Sequence, residues 1–222
     1  MLHIREEVRQ KYPTTTFGTM IMKGVTQKDP TPDFIRVKLE LETAIRQRFS
    51  GMDRKEMRAL FPFMQYHEYY KKFKKTYHVL HQCESIATGS RTLPAGAPLV
   101  QAMFMAEIKN QLLTAGYDCK NLQGPFQVGL ADGVSSFVGM GKKECRPPEG
   151  DILFSSKHTL LGSIVCGPDH DHRLQATTTD VLFAVYGVPG ITAERIERHF
   201  EDITNLVRLI DPRAEVDGLS VV

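Results

Sequence analysis

Residues 97–118 read APLVQAMFMAEIKNQLLTAGYD, and they divide the chain into two kinds of sequence. Leu99–Leu113 has the pattern of a strongly apolar helix. Val100, Met103, Phe104, Ala106, Ile108 and Leu112 cover more than one stripe of it, which predicts burial on several sides. After Gly116 the pattern changes. Phe126–Leu130, Ser135–Val138, Asp151–Ser155, Thr159–Val165 and Asp180–Tyr186 are short apolar runs separated by turn residues. They read as strands of a mixed or antiparallel sheet. Helices first and strands later predict an α+β architecture, not a doubly wound sheet.

Upstream, Thr88–Pro98 is rich in breakers, with Gly89, Pro94, Gly96 and Pro98. Val79–Ala87 reads as a helix before it. Phe63–Lys75, FMQYHEYYKKFKK, interleaves Lys71, Lys72, Lys74 and Lys75 with Tyr66, Tyr69, Tyr70 and Phe73. Lysines meet phosphates and aromatic rings stack on bases, so these lysines are the candidate RNA contacts. An amphipathic helix with core aromatics and solvated lysines accounts for the same pattern. Thr31-Pro32-Asp33 opens another helix, with Phe34, Val37, Leu41, Ala44 and Ile45 at helical spacing and a charged opposite face. Residues 1–31 are a lead-in: a short helix, then a strand at Phe17–Val25.

Downstream, Lys142–Gly150 reads as a surface loop and Lys157-His158 as a hairpin turn. Thr192 caps a helix running to about Leu209, with Glu194 in its first turn and Ile191 placed to staple on Ile196. A short strand is expected at Ala214–Val221. The resulting organisation is a helical N-terminal portion, residues 1–92, packed on an α+β core, residues 93–222, as one unit.

The chain has 222 residues, 41% of them hydrophobic, enough for a substantial core. Net charge is only +2, so any RNA contact needs a local basic patch. The N-terminus MLHIREEVRQKY is charged where a signal peptide is apolar, and no window reaches the roughly 18 apolar residues of a membrane span. Cys83, Cys119, Cys145 and Cys166 form no CxxC pair, which fits reduced thiols. A cytoplasmic protein without a membrane partner is expected, and the oligomeric state is not legible.

One loop is chemically dense. Residues 166–173, CGPDHDHR, hold two Asp, two His, one Arg and one Cys. Asp169, His170 and Asp171 are the candidate catalytic groups, since an Asp or His can orient water as a general base. Arg173 is suited to a phosphate or carboxylate. Alternating Asp and His can also hold a divalent ion, but no HxxE or CxxC elsewhere supplies further ligands, so no metal and no cofactor is expected. A solvated turn, with the Asp side chains bonded to nearby amides, remains the third reading.

The order of these pieces resembles the editing module of the phenylalanyl-tRNA synthetase beta chain. Ala97-Pro98-Leu99-Val100 stands where that family enters its buried helix, and Gly116-Tyr117-Asp118 follows at the family's spacing. Leu122, Gly124 and Val128, then Gly133–Gly141, Asp151–Phe154, Thr159–Gly167 and Thr178–Phe183 match its successive strands. Tyr77–Arg91 followed by Leu93-Pro94 is similar to free-standing relatives of the module. The chain departs from the family at Gln101 and Phe104, which replace Asp and Asn, and at Val134, which replaces Glu after Gly133.

The resemblance implies an editing-domain-like α+β fold and a partner that is tRNA or aminoacyl-tRNA. It implies a pocket contacted by Phe104, Val134, Arg173, Thr178 and Thr179, with the Asp169–Arg173 loop beside the aminoacyl group. Two functions follow as expectations: binding, with hydrolysis of mischarged aminoacyl-tRNA in trans, or non-catalytic binding of RNA or an amino-acid-like small molecule. No ATP-site signature is visible, so amino-acid activation is not expected.

Overall fold

The computed structural model describes residues 2–157 and 159–222, so His158 of the expected hairpin turn lies outside the described residues. The N-terminal part comprises β1 (Leu2–Ile4), α1 (Glu6–Lys11), β2 (Thr16–Lys23), α2 (Pro32–Arg48), α3 (Arg54–Ala59), α4 (Phe63–Lys71) and α5 (His78–Ala87). Then follow α6 (Pro98–Asn110), β3 (Thr114–Asp118), β4 (Phe126–Leu130), β5 (Phe137–Val138), β6 (Glu144–Cys145) and β7 (Ile152–Ser155). The chain closes with β8 (Leu160–Ser163), β9 (Gly167–Pro168), β10 (Val181–Gly187), α7 (Ala193–Ile210) and β11 (Glu215–Val221).

Two sheets organise the core. One is antiparallel, with strand order β11-β2-β10-β3. The other, β1-β4-β7-β8-β9, is mixed, because β1 pairs parallel with β4. The architecture is α+β with antiparallel and mixed sheets, as the sequence pattern predicts. Every residue of β10 is buried, so this strand is covered on both faces. On one face Phe17, Tyr117 and Tyr186 meet Phe154 of β7, with ring centroids 5.0, 5.8 and 6.2 Å away. On the other face α7 lies against β2, burying Ile196, Phe200, Ile203 and Val207. A Cβ on Gly18 would come 2.4 Å from Ile196 Cγ2, so only glycine lets α7 sit this close.

The residues before 93 are not solely helical. β2 lies inside the antiparallel sheet, between β11 and β10, and β1 extends the mixed sheet. Their partners are more than a hundred residues away in sequence, so no local pattern reports them. The helix expected over Leu99–Leu113 stops at Asn110. Gln111 turns the chain in the left-handed region (φ 53°), and its side-chain amide donates to the Ile108 and Lys109 carbonyls. Thr114–Asp118 then becomes an edge strand beside β10.

The tyrosines of α4 are core residues. Tyr66 Oη accepts from Leu113 N–H and donates to the Tyr186 carbonyl. Tyr69 Oη accepts from Ile152 N–H and donates to Asp151, and Tyr70 Oη donates to the Ile164 carbonyl. No helix among the described residues is long and apolar enough to cross a membrane.

Candidate functional site

The face of α6 that bears Val100, Met103, Phe104 and Glu107 repeats at three and four residues, so these side chains lie in one row. They form one wall of a cavity of about 290 Å³. Leu113 and the first three residues of β3, Thr114, Ala115 and Gly116, also line it, as do Met140, Gly167, Pro168, Arg173 and Leu174. Gly116 keeps the space open: a Cβ there would lie 2.6 Å from Leu174 Cδ1 and 3.1 Å from Met103 Sδ.

The lining is mainly apolar, with one acid at its inner end. Glu107 is 1% exposed. Its Oε1 accepts from Thr114 N–H at 3.0 Å, while Oε2 is buried without a partner among the described residues. Burial pushes its carboxyl up to about 8, against a small opposing effect of the Thr114 hydrogen bond.

Behind Thr114 the polar groups are satisfied. The Thr114 hydroxyl donates to the Leu112 carbonyl and lies 2.8 Å from His199 Nε2. Asn110 Nδ2 reaches both His199 Nδ1 and Asp202, and Lys109 pairs with Asp202. The geometry assigns His199 the neutral tautomer protonated at Nε2, donating to Thr114 and accepting from Asn110. Burial agrees with it, holding His199 down at about 3.

The sequence-predicted residues separate into groups. Phe104 and Arg173 line the cavity. Asp169 is buried beside it; its Oδ2 is occupied by the backbone N–H groups of Asp171 and His172 and by His172 Nδ1 at 2.7 Å, while its Oδ1, like Glu107 Oε2, is buried without a partner among the described residues. Asp169 thus shapes the loop. His170 has its ring Nδ1 3.2 Å from Asp171 and 3.4 Å from Arg173 Nη1, while the Asp171 side chain is exposed. Thr178 is buried, donating to Asp118 Oδ2 at 2.7 Å and accepting from Gln175 N–H, so its hydroxyl braces the loop against β3. Thr179 is exposed, and its carbonyl accepts from Val25 N–H. Val134 is 73% exposed, in a turn built on the Asp132 carboxylate, and takes no part in the cavity.

Lys71, Lys72, Lys74 and Lys75 are exposed, while Tyr66, Tyr69 and Tyr70 beside them are buried and unavailable for base stacking. Lys72 lies over the Tyr12 ring, 4.8 Å from its centroid. Among the described residues no group of three His, Cys, Asp or Glu side chains converges as a metal site would require.

Glu107, Met103 and Thr114 were not among the sequence-predicted residues. One signal was present: an acid seven residues after Val100 and three after Phe104, on the apolar face of a helix.

No protein-family model matches the chain. No curated protein matches it in sequence either. Among solved structures, an N-terminal fragment of the phenylalanyl-tRNA synthetase beta subunit from Pyrococcus horikoshii superposes with a TM-score of 0.53 at 10% identity. The match covers 100% of this chain and 54% of that one. The likeness is one of fold, and this chain spans about half the length of the fragment.

Proposed function

We propose that this chain binds a compact, mostly apolar amino-acid-like ligand in the cavity beside α6, either free or as the aminoacyl end of a tRNA. The observation that carries the reading is the cavity: about 290 Å³, apolar along Val100, Met103 and Phe104, with Arg173 at its border. Ligand sites are concave and largely apolar, with few polar groups to fix orientation. Burying an apolar side chain there stabilises the complex by about 25 cal/mol per Å² removed from water. The Arg173 guanidinium suits a carboxylate or phosphate. The ordered sequence resemblance and the fold likeness to a synthetase beta-subunit fragment support an editing-module-like fold, in which a tRNA would present the ligand.

The test is calorimetric titration of the full chain with a panel of amino-acid amides and with charged and uncharged tRNA. Saturable binding of some amides is expected. If no amide and no aminoacyl-tRNA binds, the reading is wrong.

Hydrolysis in trans is a second reading, favoured by His170 and Arg173 standing together next to the cavity. A histidine so placed can orient a water on an ester carbonyl. Release of amino acid from mischarged tRNAs, slowed by His170→Ala but not by Asp171→Ala, is the expected result. An inactive wild type would leave binding alone.

A further inference from the structure

Two of the four cysteines meet although they lie on different elements. Cys145 stands on β6, opposite Phe137 in the small hairpin that β6 makes with β5. Cys166 stands in the turn between β8 and β9, where its N–H donates to Ser163 Oγ at 2.9 Å. The two side chains are hydrogen-bonded to each other, and both are free thiols on partly exposed residues. The backbone brings them together. Gly139 bridges to Asp169, and His170 N–H donates to the Val138 carbonyl at 2.8 Å. Cys145 Sγ lies 3.6 Å from where a Cβ on Gly139 would stand. The hairpin is a two-stranded sheet of its own, and two strands alone are marginally stable. The other cysteines are placed differently: Cys83 is buried with its thiol toward the Ile108 carbonyl, and Cys119 stands among Asp180, Asp118 and Lys23.

We infer that Cys145 and Cys166 are a peroxide-responsive pair, closing to a disulfide that staples the β5–β6 hairpin to the β8–β9 turn. Hydrogen peroxide is the oxidant. The Cys145 sulfur attacks it, giving a sulfenic acid and one water. The Cys166 sulfur then forms the S–S bond, and the Cys145 hydroxyl leaves with the Cys166 proton as a second water. Two thiols lose two electrons and two protons, and one peroxide becomes two waters. Burial, with the Cys145 hydrogen bond, pushes the Cys166 thiol up to about 12, which makes Cys145 the sulfur oxidised first. Contact makes the second step intramolecular, which offsets the slow ionisation of Cys166. Met140 of the hairpin and Gly167 and Pro168 beside Cys166 line the cavity, so the staple fixes part of its wall. The pairing stands whether or not the cavity holds a ligand.

The experiment treats the folded full chain with limiting hydrogen peroxide, alkylates the remaining thiols after denaturation, and maps the peptides by mass spectrometry. Cys83 and Cys119 are expected to be alkylated, while the tryptic peptides bearing Cys145 and Cys166 appear joined and separate again with dithiothreitol. Cys145→Ser and Cys166→Ser are each expected to yield no joined peptide within the chain. Hydrogen exchange reads the staple. The Gly139 and His170 amides, bonded within the hairpin and across to it, are expected to exchange about tenfold or more slowly in the oxidised chain. The exchange rates return on reduction, and in both serine variants peroxide leaves them unchanged. Oxidation of Cys145 only to sulfinic acid, bridges that join other cysteines or two chains, or no loss of either thiol overturns the pairing. A Cys145–Cys166 disulfide with unaltered exchange at Gly139 and His170 overturns the staple.

Discussion

The Thr114 backbone N–H donates to Glu107 Oε1 at 3.0 Å, tying the end of α6 to the first residue of β3 and leaving the other carboxylate oxygen bare. Burial of this acid, which outweighs the hydrogen bond, has a consequence for stability. Glu107 has a folded-state pKa of about 8 against an ordinary value of 4.5. Between those values the folded chain holds a proton that the unfolded chain has released. Stability from this group is therefore present below about pH 4.5 and is lost as pH rises toward 8. Glu107→Gln, which cannot ionise, is expected to gain on wild type across that window, by on the order of a few kcal/mol at its upper end. Urea unfolding at pH 5 and pH 8.5 checks this, and parallel pH profiles for the two proteins would refute it.

His199 acts with the opposite sign. Burial depresses its folded pKa to about 3 from 6.5. The unfolded chain takes up the proton first, so stability present above pH 6.5 is lost as pH falls toward 3. His199→Gln is expected to lose less stability than wild type between pH 6.5 and 4, while starting lower because Gln copies the Thr114 and Asn110 contacts imperfectly. Thermal melts across that range decide it; an equal acid response in both proteins would show that His199 does not titrate as its burial demands.

Thr178 and Asp118 hold the Gln175–Thr178 turn to the end of β3 through a 2.7 Å hydrogen bond. Thr178→Val is expected to cost about 1–2 kcal/mol of stability, the penalty for leaving partly buried partners unmet. It is expected to leave affinity for cavity ligands unchanged at a temperature where the variant is folded. A variant of native stability and weakened binding would instead place the Thr178 hydroxyl on the ligand.

Within the acidic loop, two neighbouring aspartates are expected to behave differently. Asp169 organises the turn through the N–H groups of Asp171 and His172, whereas the Asp171 side chain is exposed. Asp169→Ala is expected to destabilise by about 1–3 kcal/mol, and Asp171→Ala to stay within about 0.5 kcal/mol of wild type. Chemical denaturation of the two variants tests this ordering, which equal effects would contradict.

The lysine-aromatic segment separates in the same way. Tyr66→Phe removes a hydroxyl that joins Leu113 to Tyr186 and is expected to cost about 1–3 kcal/mol. Replacing Lys71, Lys72, Lys74 and Lys75 with alanine together touches exposed side chains and is expected to leave stability nearly unchanged. If tRNA uses this face, the same variant binds it more weakly and with a shallower dependence on salt. An unaltered tRNA affinity and salt slope would assign these lysines to solubility alone.

Local patterning determined much of this protein. The apolar run of α6, the amphipathic helix Ala193–Ile210 and the strands Phe126–Leu130 and Ile152–Ser155 follow from period and turn chemistry, which neighbouring residues carry, although the Thr192 side chain expected to cap that helix makes no cap hydrogen bond. So does the change from helices to strands that gives the α+β class. Phe104 and Arg173 were also legible as cavity residues, through the resemblance that ordered those segments.

Tertiary structure decided the rest. The place of β2 between β11 and β10, and the use of Thr114–Asp118 as a strand, depend on partners far away in the chain. Whether a polar side chain faces a ligand or holds a backbone depends on which amides surround it. Thr178 and Asp169 have the composition of site residues, but the Thr178 hydroxyl is held by Asp118 and Asp169 Oδ2 by the loop's own N–H groups, with Asp169 Oδ1 buried and unpartnered among the described residues. Glu107, in a run that reads as plain apolar helix, is buried against the cavity wall with only one of its oxygens satisfied. Residue type and spacing dictate where chain can be buried; only the packed fold dictates which buried polar atom is left without a partner.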